Sequence, residues 1–206
     1  MRREKEWNLK MKKRLLILVA AMLVIAGFFS VIKKIHRELP VYGQVNSFEF
    51  TNQTGKNFSS EELSGRVWVA GFIFTRCQGP CPVISAKMAE LKKRLSYASH
   101  FSLVSFTVDP EYDTPEKLAE YATKFHREGK PEWNFLTGEK EKIYDLAVKT
   151  FMQTASQDPS QTDLQARFMH GTRLVLVDDK GRIRGFYSAT DGDSISQLER
   201  DIRSIL

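Results

Sequence analysis

Cysteine is nearly absent from this chain: 206 residues carry two, Cys77 and Cys81. Two thiols cannot form the multi-disulfide framework of small secreted folds, nor the four-thiolate cage of a structural zinc. Repeats and low-complexity tracts are absent as well. So is any basic surplus over most of the length. The formal charge is +6, but residues 1–34 hold nine Lys/Arg against Glu4 and Glu6, a local +7. The remainder holds 22 Lys/Arg against 23 Asp/Glu, which is −1. The basicity belongs to the tail, and the folded part has nothing to attract nucleic acid.

Long apolar runs are missing too, with one exception. Leu15 to Ile32, "LLILVAAMLVIAGFFSVI", is eighteen residues with Ser30 as its only polar side chain. As a helix this just crosses a hydrocarbon core of about 30 Å. Seven Lys/Arg precede it and Lys33, Lys34 and Arg37 follow closely. The positive-inside bias puts the N-terminus in the cytoplasm and the rest of the chain on the extracytoplasmic side. The run is long for a signal peptide and no small-x-small cleavage site follows it. No cysteine lies near its end, which excludes a lipoprotein. The expected organisation is a basic tail at 1–14, a single-pass anchor at 15–32, a linker at 33–43 and one domain at 44–206. With 42% hydrophobic residues, a domain of roughly 170 residues buries a proper core.

Within the domain, "SFEFT", "NQTG" and "KNFS" predict a hairpin with a glycine-containing turn. "RVWVAGFIFT", Arg66 to Thr75, is a continuous apolar, β-rich run, as expected of a strand buried on both faces. Pro82 suits the first turn of a helix. Ile84, Met88, Leu91 and Leu95 form its stripe, and Lys92, Lys93 and Arg94 suit its C-terminus. "FSLVSFTV" is a second strand. Thr114-Pro115-Glu116 starts a helix with Leu118, Tyr121, Ala122 and Phe125 on one face. "WNFLT" is a short strand, and Ile143, Leu146 and Ala147 mark a third helix. "RLVLVDDKGRIRGFYSA" is a hairpin turning at Asp179-Lys180-Gly181. Asp193/Ser194 are expected to cap a last helix with the stripe Ile195, Leu198, Ile202 and Ile205. Strands alternating with helices predict an α/β domain with a mainly parallel central sheet and helices on both faces. The polar, unpatterned stretch Thr154 to Ala166 reads as a loop.

In open α/β sheets functional groups gather beyond the carboxyl ends of the strands. Cys77 and Cys81, in "FIFTRCQGPCP", sit at such an end, before a helix. The helix dipole there lowers a thiol pKa, so the pair is expected to be reactive or metal-binding. The alternative is a plain structural disulfide, but so short a loop stabilises little. Asp109, before Pro110, ends the next strand. It is either an acceptor behind the site or a turn residue. Of four histidines, His36 lies in the linker, His126 near a helix end, and His100 at the wrong end of its strand. His170, in "RFMHGTRLVLV", precedes a buried strand; if that strand is antiparallel, its start lies on the cysteine side. Met169 beside it reads as core. Two thiolates and an imidazole make a soft three-ligand set that suits copper, Cu(I) above all. A structural zinc would need a fourth ligand.

The segments "WVAGFIFTRCQGPCPVISAKM", "VDPEYDTPEKLAEYA" and "HGTRLVLVDDKGRIRGFY" resemble the Sco/SenC family over residues 44 to 206. The resemblance implies a thioredoxin-like, membrane-anchored protein that binds copper as Cu(I) or Cu(II) and serves assembly of the copper centre of cytochrome c oxidase. It implies Cys77, Cys81 and His170 as metal ligands and Asp109 as the acidic residue behind them. It favours a metallochaperone over an enzyme and permits thiol–disulfide exchange in the same protein. Its expected partners are the copper-binding oxidase subunit and other copper carriers or thiol reductants. A thiol–disulfide oxidoreductase acting through Cys77 and Cys81, or a redox or copper sensor, are the alternatives. Under the same resemblance the cysteines form a pair that holds copper as a dithiol and blocks it as a disulfide. Ordinary thioredoxins carry a shorter CxxC and a proline where this chain has His170-Gly171.

Overall fold

The computed structural model describes Leu18, Val19, Met22 and residues 38–125, 129–153, 155–157, 160 and 168–206, with the side chains of 155–157 and 168–170 excepted. The chain divides into two compact units, Met1–Glu38 and Leu39–Leu206. In the first, the expected anchor lies almost wholly outside the described residues; Leu18, Val19 and Met22 are helical. Among the described residues no helix is long and apolar enough to cross a membrane. His36 and His126 also lie outside the described residues.

The second unit is organised by two strands that are buried at every position, β4 Val67–Ile73 and β5 Phe101–Thr107 (β1 to β3 precede them). They pair in parallel from Val67↔Phe101 to Ile73↔Thr107. Helix α1, Pro80–Arg94, crosses between them. Helix α2, Pro115–Thr123, leads from β5 to β6, Glu132–Thr137, which is parallel to β5. Parallel neighbours require such crossovers, and only these two occur within the sheet.

Every other pairing in the eight-stranded sheet is antiparallel. The hairpin β2 Glu49–Asn52 and β3 Asn57–Ser59 joins the free edge of β6. On the other side β9 Arg173–Val177 lies against β4, β10 Arg182–Ser188 against β9, and the short β1 Gly43–Gln44 against β10. The order is β1-β10-β9-β4-β5-β6-β2-β3. The sheet is therefore mixed, not mainly parallel as the alternation of strands and helices predicts. Hairpins at both ends of the sequence supply more pairings than the two crossovers do.

Helical segments cover both faces. On one, Gly71 of β4 lets α1 settle onto the sheet: a Cβ there would stand 2.9 Å from Met88 Sδ and 3.3 Å from Leu174 Cδ2. The expected stripe Ile84, Met88, Leu91 and Leu95 is buried. Trp133 Nε1 donates to Ser105 Oγ at 3.0 Å on this face, and the α2 stripe residues Leu118, Tyr121 and Ala122 are buried. On the other face Trp68, Phe72 and Phe106 pack against Phe151. Phe151 follows α3, Lys140–Asp145, and the wider π turn Leu146–Thr150 that continues it.

Two local expectations are corrected. Part of the polar stretch read as a loop is a strand: β7 Ala155–Gln157 pairs with β8 Phe168–His170 in a separate antiparallel ribbon. Backbone pairing there needs no apolar alternation, so the pattern was silent. The last helix, α4 Gly192–Ile205, is capped by Asp191, whose side chain accepts from Asp193 N–H, and not by Asp193/Ser194. The turn at Asp179-Lys180-Gly181 is as expected, with Gly181 at φ 75 and its N–H donating to Asp178 O.

Candidate metal centre at the ends of β4 and β5

Beyond Ile73 the chain runs through Phe74, Thr75 and Arg76 to Cys77, then enters α1 at Pro80. Cys81 is thus the second residue of the helix, not a residue ahead of it. Its backbone N–H donates to Cys77 Sγ at 3.4 Å. Cys77 is 6% exposed and Cys81 0%. Both are thiols. Two sulfurs therefore sit side by side at the carboxyl end of a central strand, almost out of water.

The loop that carries them is pinned by a residue with no obvious signature in the sequence. The carboxylate of Asp113, 0% exposed, accepts Thr75 N–H at 3.0 Å, Thr75 Oγ1 at 2.5 Å and Thr107 Oγ1 at 2.5 Å. It ties the start of the cysteine loop to the end of β5. Asp113 N–H donates to Asp109 O at 2.8 Å, and Asp109 N–H to Thr107 Oγ1 at 3.0 Å. The only local hint was a second aspartate before Thr114-Pro115, the N-cap pattern of α2.

Asp109 is buried at 3% exposure and pairs with Arg76, Nη2 to Oδ2 at 2.5 Å. Burial pushes its carboxyl above the ordinary range, against the hydrogen bond and charge of Arg76. It is thus bound to the residue next to Cys77. Arg76 also lies 3.9 Å over the Tyr112 ring, and Lys117 lies 3.1 Å from the same ring centroid. Tyr144 donates to Val108 O at 2.7 Å; burial, then the Asp109 charge, pushes its hydroxyl up to about 12. Beneath the pair, Ser85 and Tyr121 hydroxyls meet at 2.9 Å.

The expected lowering of the thiol pKa is overturned at Cys81. Burial is the largest cause and raises its pKa strongly; the hydrogen bond and charge of Cys77 raise it further, against a backbone hydrogen bond involving Phe74. The helix N-terminus is present, but desolvation of a fully buried thiolate outweighs it.

His170 ends β8, with Ala155 opposite it; its side chain lies outside the description, as does that of Met169. The condition placed on it does hold. β9 is antiparallel to β4, with Ala70↔Val175 in register, so its start at Arg173 lies toward the cysteine end of β4. His100 is exposed at the opposite end of β5, its carbonyl accepting Val67 N–H. Among the described residues no group of three or more His, Cys, Asp or Glu side chains could hold a metal ion. A groove of ≈ 800 Å³ between the β2–β3 hairpin and α3 is lined by none of Cys77, Cys81, Asp109 and Asp113.

Residues 40–206 match the family model SCO1/SenC. Among solved structures, the chain is similar to a SCO1/SenC family lipoprotein from Bacillus anthracis, with 33% identity, TM-score 0.72, 82% of this chain and 98% of that one. It is similar to BsSco, a member of the Sco family of cytochrome c oxidase assembly proteins for which a disulfide switch is described, with 32% identity, TM-score 0.68, 82% and 96% coverage. It shares its fold with Bradyrhizobium japonicum ScoI, solved with copper bound, at 22% identity, TM-score 0.66, 80% and 100% coverage. These likenesses carry the thioredoxin-type α/β fold expected from the sequence.

Asp113→Ala would leave Thr75 N–H, the half-buried Thr75 hydroxyl and the buried Thr107 hydroxyl without their acceptor, a loss of about 2–4 kcal/mol. Denaturant unfolding of the full chain in detergent checks it. A change under about 0.5 kcal/mol, the scale of an ordinary surface substitution, would show that the carboxylate does not hold the loop.

Proposed function

This chain belongs to the SCO1/SenC family, and we propose that it is a membrane-anchored copper-binding assembly factor that delivers copper to the copper centre of cytochrome c oxidase. The observation that carries the reading is the placement of Cys77 and Cys81, one accepting a hydrogen bond from the backbone of the other, at the carboxyl end of a central strand. Two adjacent sulfurs shielded from water fit a soft cation. Cys77, Cys81 and His170 would hold copper, with Asp109 behind them. Copper is the cargo here; the chain's own part is to present the sulfurs, exclude water and release the thiol protons as the metal enters.

The adjacency of the sulfurs favours one further reading. As a thiol–disulfide oxidoreductase, the Cys77/Cys81 dithiol would reduce a disulfide in the oxidase's copper site. One thiolate attacks a partner sulfur to give a mixed disulfide. The second thiolate then displaces the partner thiol, leaving a Cys77–Cys81 disulfide. Two electrons and two protons pass to the partner's pair. This reading has no use for His170, which separates the two.

With the full chain in detergent and reduced, Cys77→Ser or Cys81→Ser should abolish tight copper binding, since a hydroxyl is a poor soft ligand. His170→Ala should weaken binding by a larger factor than His100→Ala or His126→Ala, measured by competition with a chelator of known affinity. Equal effects from the three histidines would remove His170 from the ligand set and leave the oxidoreductase.

We place the anchor at 15–32, the N-terminus in the cytoplasm and the domain at 44–206 outside, on the charge bias of residues 1–37. Protease added to intact spheroplasts should then digest the domain. Fragments that appear only after lysis would reverse the orientation.

A further inference from the structure

Three features meet at the corner between the π turn and the ribbon that carries His170. Met152, which is not glycine, stands at φ 50, a backbone region that persists only where the surroundings over-determine it. Gln153 is 3% exposed, and its buried Oε1 has no hydrogen-bond partner among the described residues. Its remaining polar groups are engaged: Nε2 donates to Phe151 O at 3.2 Å and the backbone N–H to Ala147 O at 2.9 Å. Gly171 lies directly against that side chain, where a Cβ would stand 2.1 Å from Gln153 Oε1 and 3.2 Å from its Cδ.

The glycine is not demanded by its own backbone, which lies outside the left-handed region. What crowds a side chain there is the amide of Gln153, which its burial and the Nε2 bond to Phe151 O hold in place. The same corner is held from the other side of Gly171, since Arg173 Nη2 donates to Met152 O at 2.5 Å. Gln153 therefore lies against the backbone at 171, and Met152 O holds the side chain of Arg173, both immediately after His170. An uncompensated carboxamide oxygen and a strained residue are both costly. Both fall on the two residues that contact the stretch following the histidine.

We propose that Met152 and Gln153 form a seat for Gly171 and the Arg173 side chain, and that Gln153, packed against the Gly171 backbone, is thereby a positioning residue for the ligand histidine at 170. This rests on the copper reading above. Residues that orient metal ligands without touching the metal commonly change affinity by ten- to a hundredfold. The seat acts on the backbone, so it works before copper arrives and lowers the ordering cost of bringing the histidine to the cysteines.

Gly171→Ala and the double variant Gln153→Ala/Gly171→Ala test it in the full chain in detergent. In the double variant the nearest Gln153 atom to the new methyl is Cβ, at 3.7 Å, an ordinary contact. Without copper, Gly171→Ala should raise amide exchange at 168–173 by about tenfold while β4 and β5 keep their protection. With copper(II) chloride it should weaken binding about tenfold and lose the nitrogen coupling in the copper resonance, while the sulfur-to-copper absorption band remains. Gln153→Ala alone, which empties the seat without a clash, should raise exchange at 168–173 and weaken copper binding about threefold, and the double variant should fall back from the tenfold change of Gly171→Ala to that level. Wild-type exchange in Gly171→Ala, wild-type exchange and affinity in Gln153→Ala, or a double variant no better than Gly171→Ala, overturns the seat. If the exchange series behaves as stated but His170→Ala binds copper like wild type, the seat stands and the copper ligation falls.

Discussion

The carboxylate of Asp113 is the fixed point of this site. Its three hydrogen bonds join the first residues beyond β4 to the last residue of β5. The cysteine loop is anchored there because two parallel strands end in register at that place, Ile73 beside Thr107. A buried carboxylate is tolerable only when donors surround it. Threonines at 75 and 107 meet that requirement, and in doing so they set where Cys77 begins. Gly71 completes the arrangement by letting α1 rest directly on β4, which brings Cys81 back toward Cys77.

Burial then shapes the chemistry. A thiol at a helix N-terminus is usually made acidic by its setting, but Cys81 is fully enclosed and its proton is held more tightly, not less. Such a thiol is quiet until something replaces the proton. A soft cation does so with a gain that an uncharged environment cannot offer, and so does bond formation to the neighbouring sulfur. On the copper reading proposed above both routes would use the same two atoms, so metal binding and oxidation to the disulfide would exclude each other. Asp109 and Arg76 at the rim add a charge pair joined directly to the loop.

Much of this was legible in the residues. The apolar run at 66–75 marked the central strand, the Ile84–Leu95 stripe marked α1, and the two cysteines at that junction marked the candidate site. What escaped has physical causes. Strand direction depends on which edges are free, so the hairpins turned a mainly parallel expectation into a mixed sheet. The β7–β8 ribbon is held by backbone bonds that leave no side-chain pattern. Thiol acidity depends on enclosure, which periodicity does not report. Asp113 passed unmarked before the helix start at Thr114-Pro115, and Gln153 sat at the edge of a featureless polar stretch; both make contacts with neighbours far along the chain.

The central claim is that Cys77 and Cys81 hold copper as two thiolates and cannot do so once bonded to each other. The direct test is copper titration of the full chain in detergent, once with the pair reduced and once with it oxidised. The account predicts tight uptake of one copper by the dithiol, far weaker uptake by the disulfide, and recovery on adding a dithiol reductant. A disulfide form that binds copper as tightly as the dithiol form would contradict it.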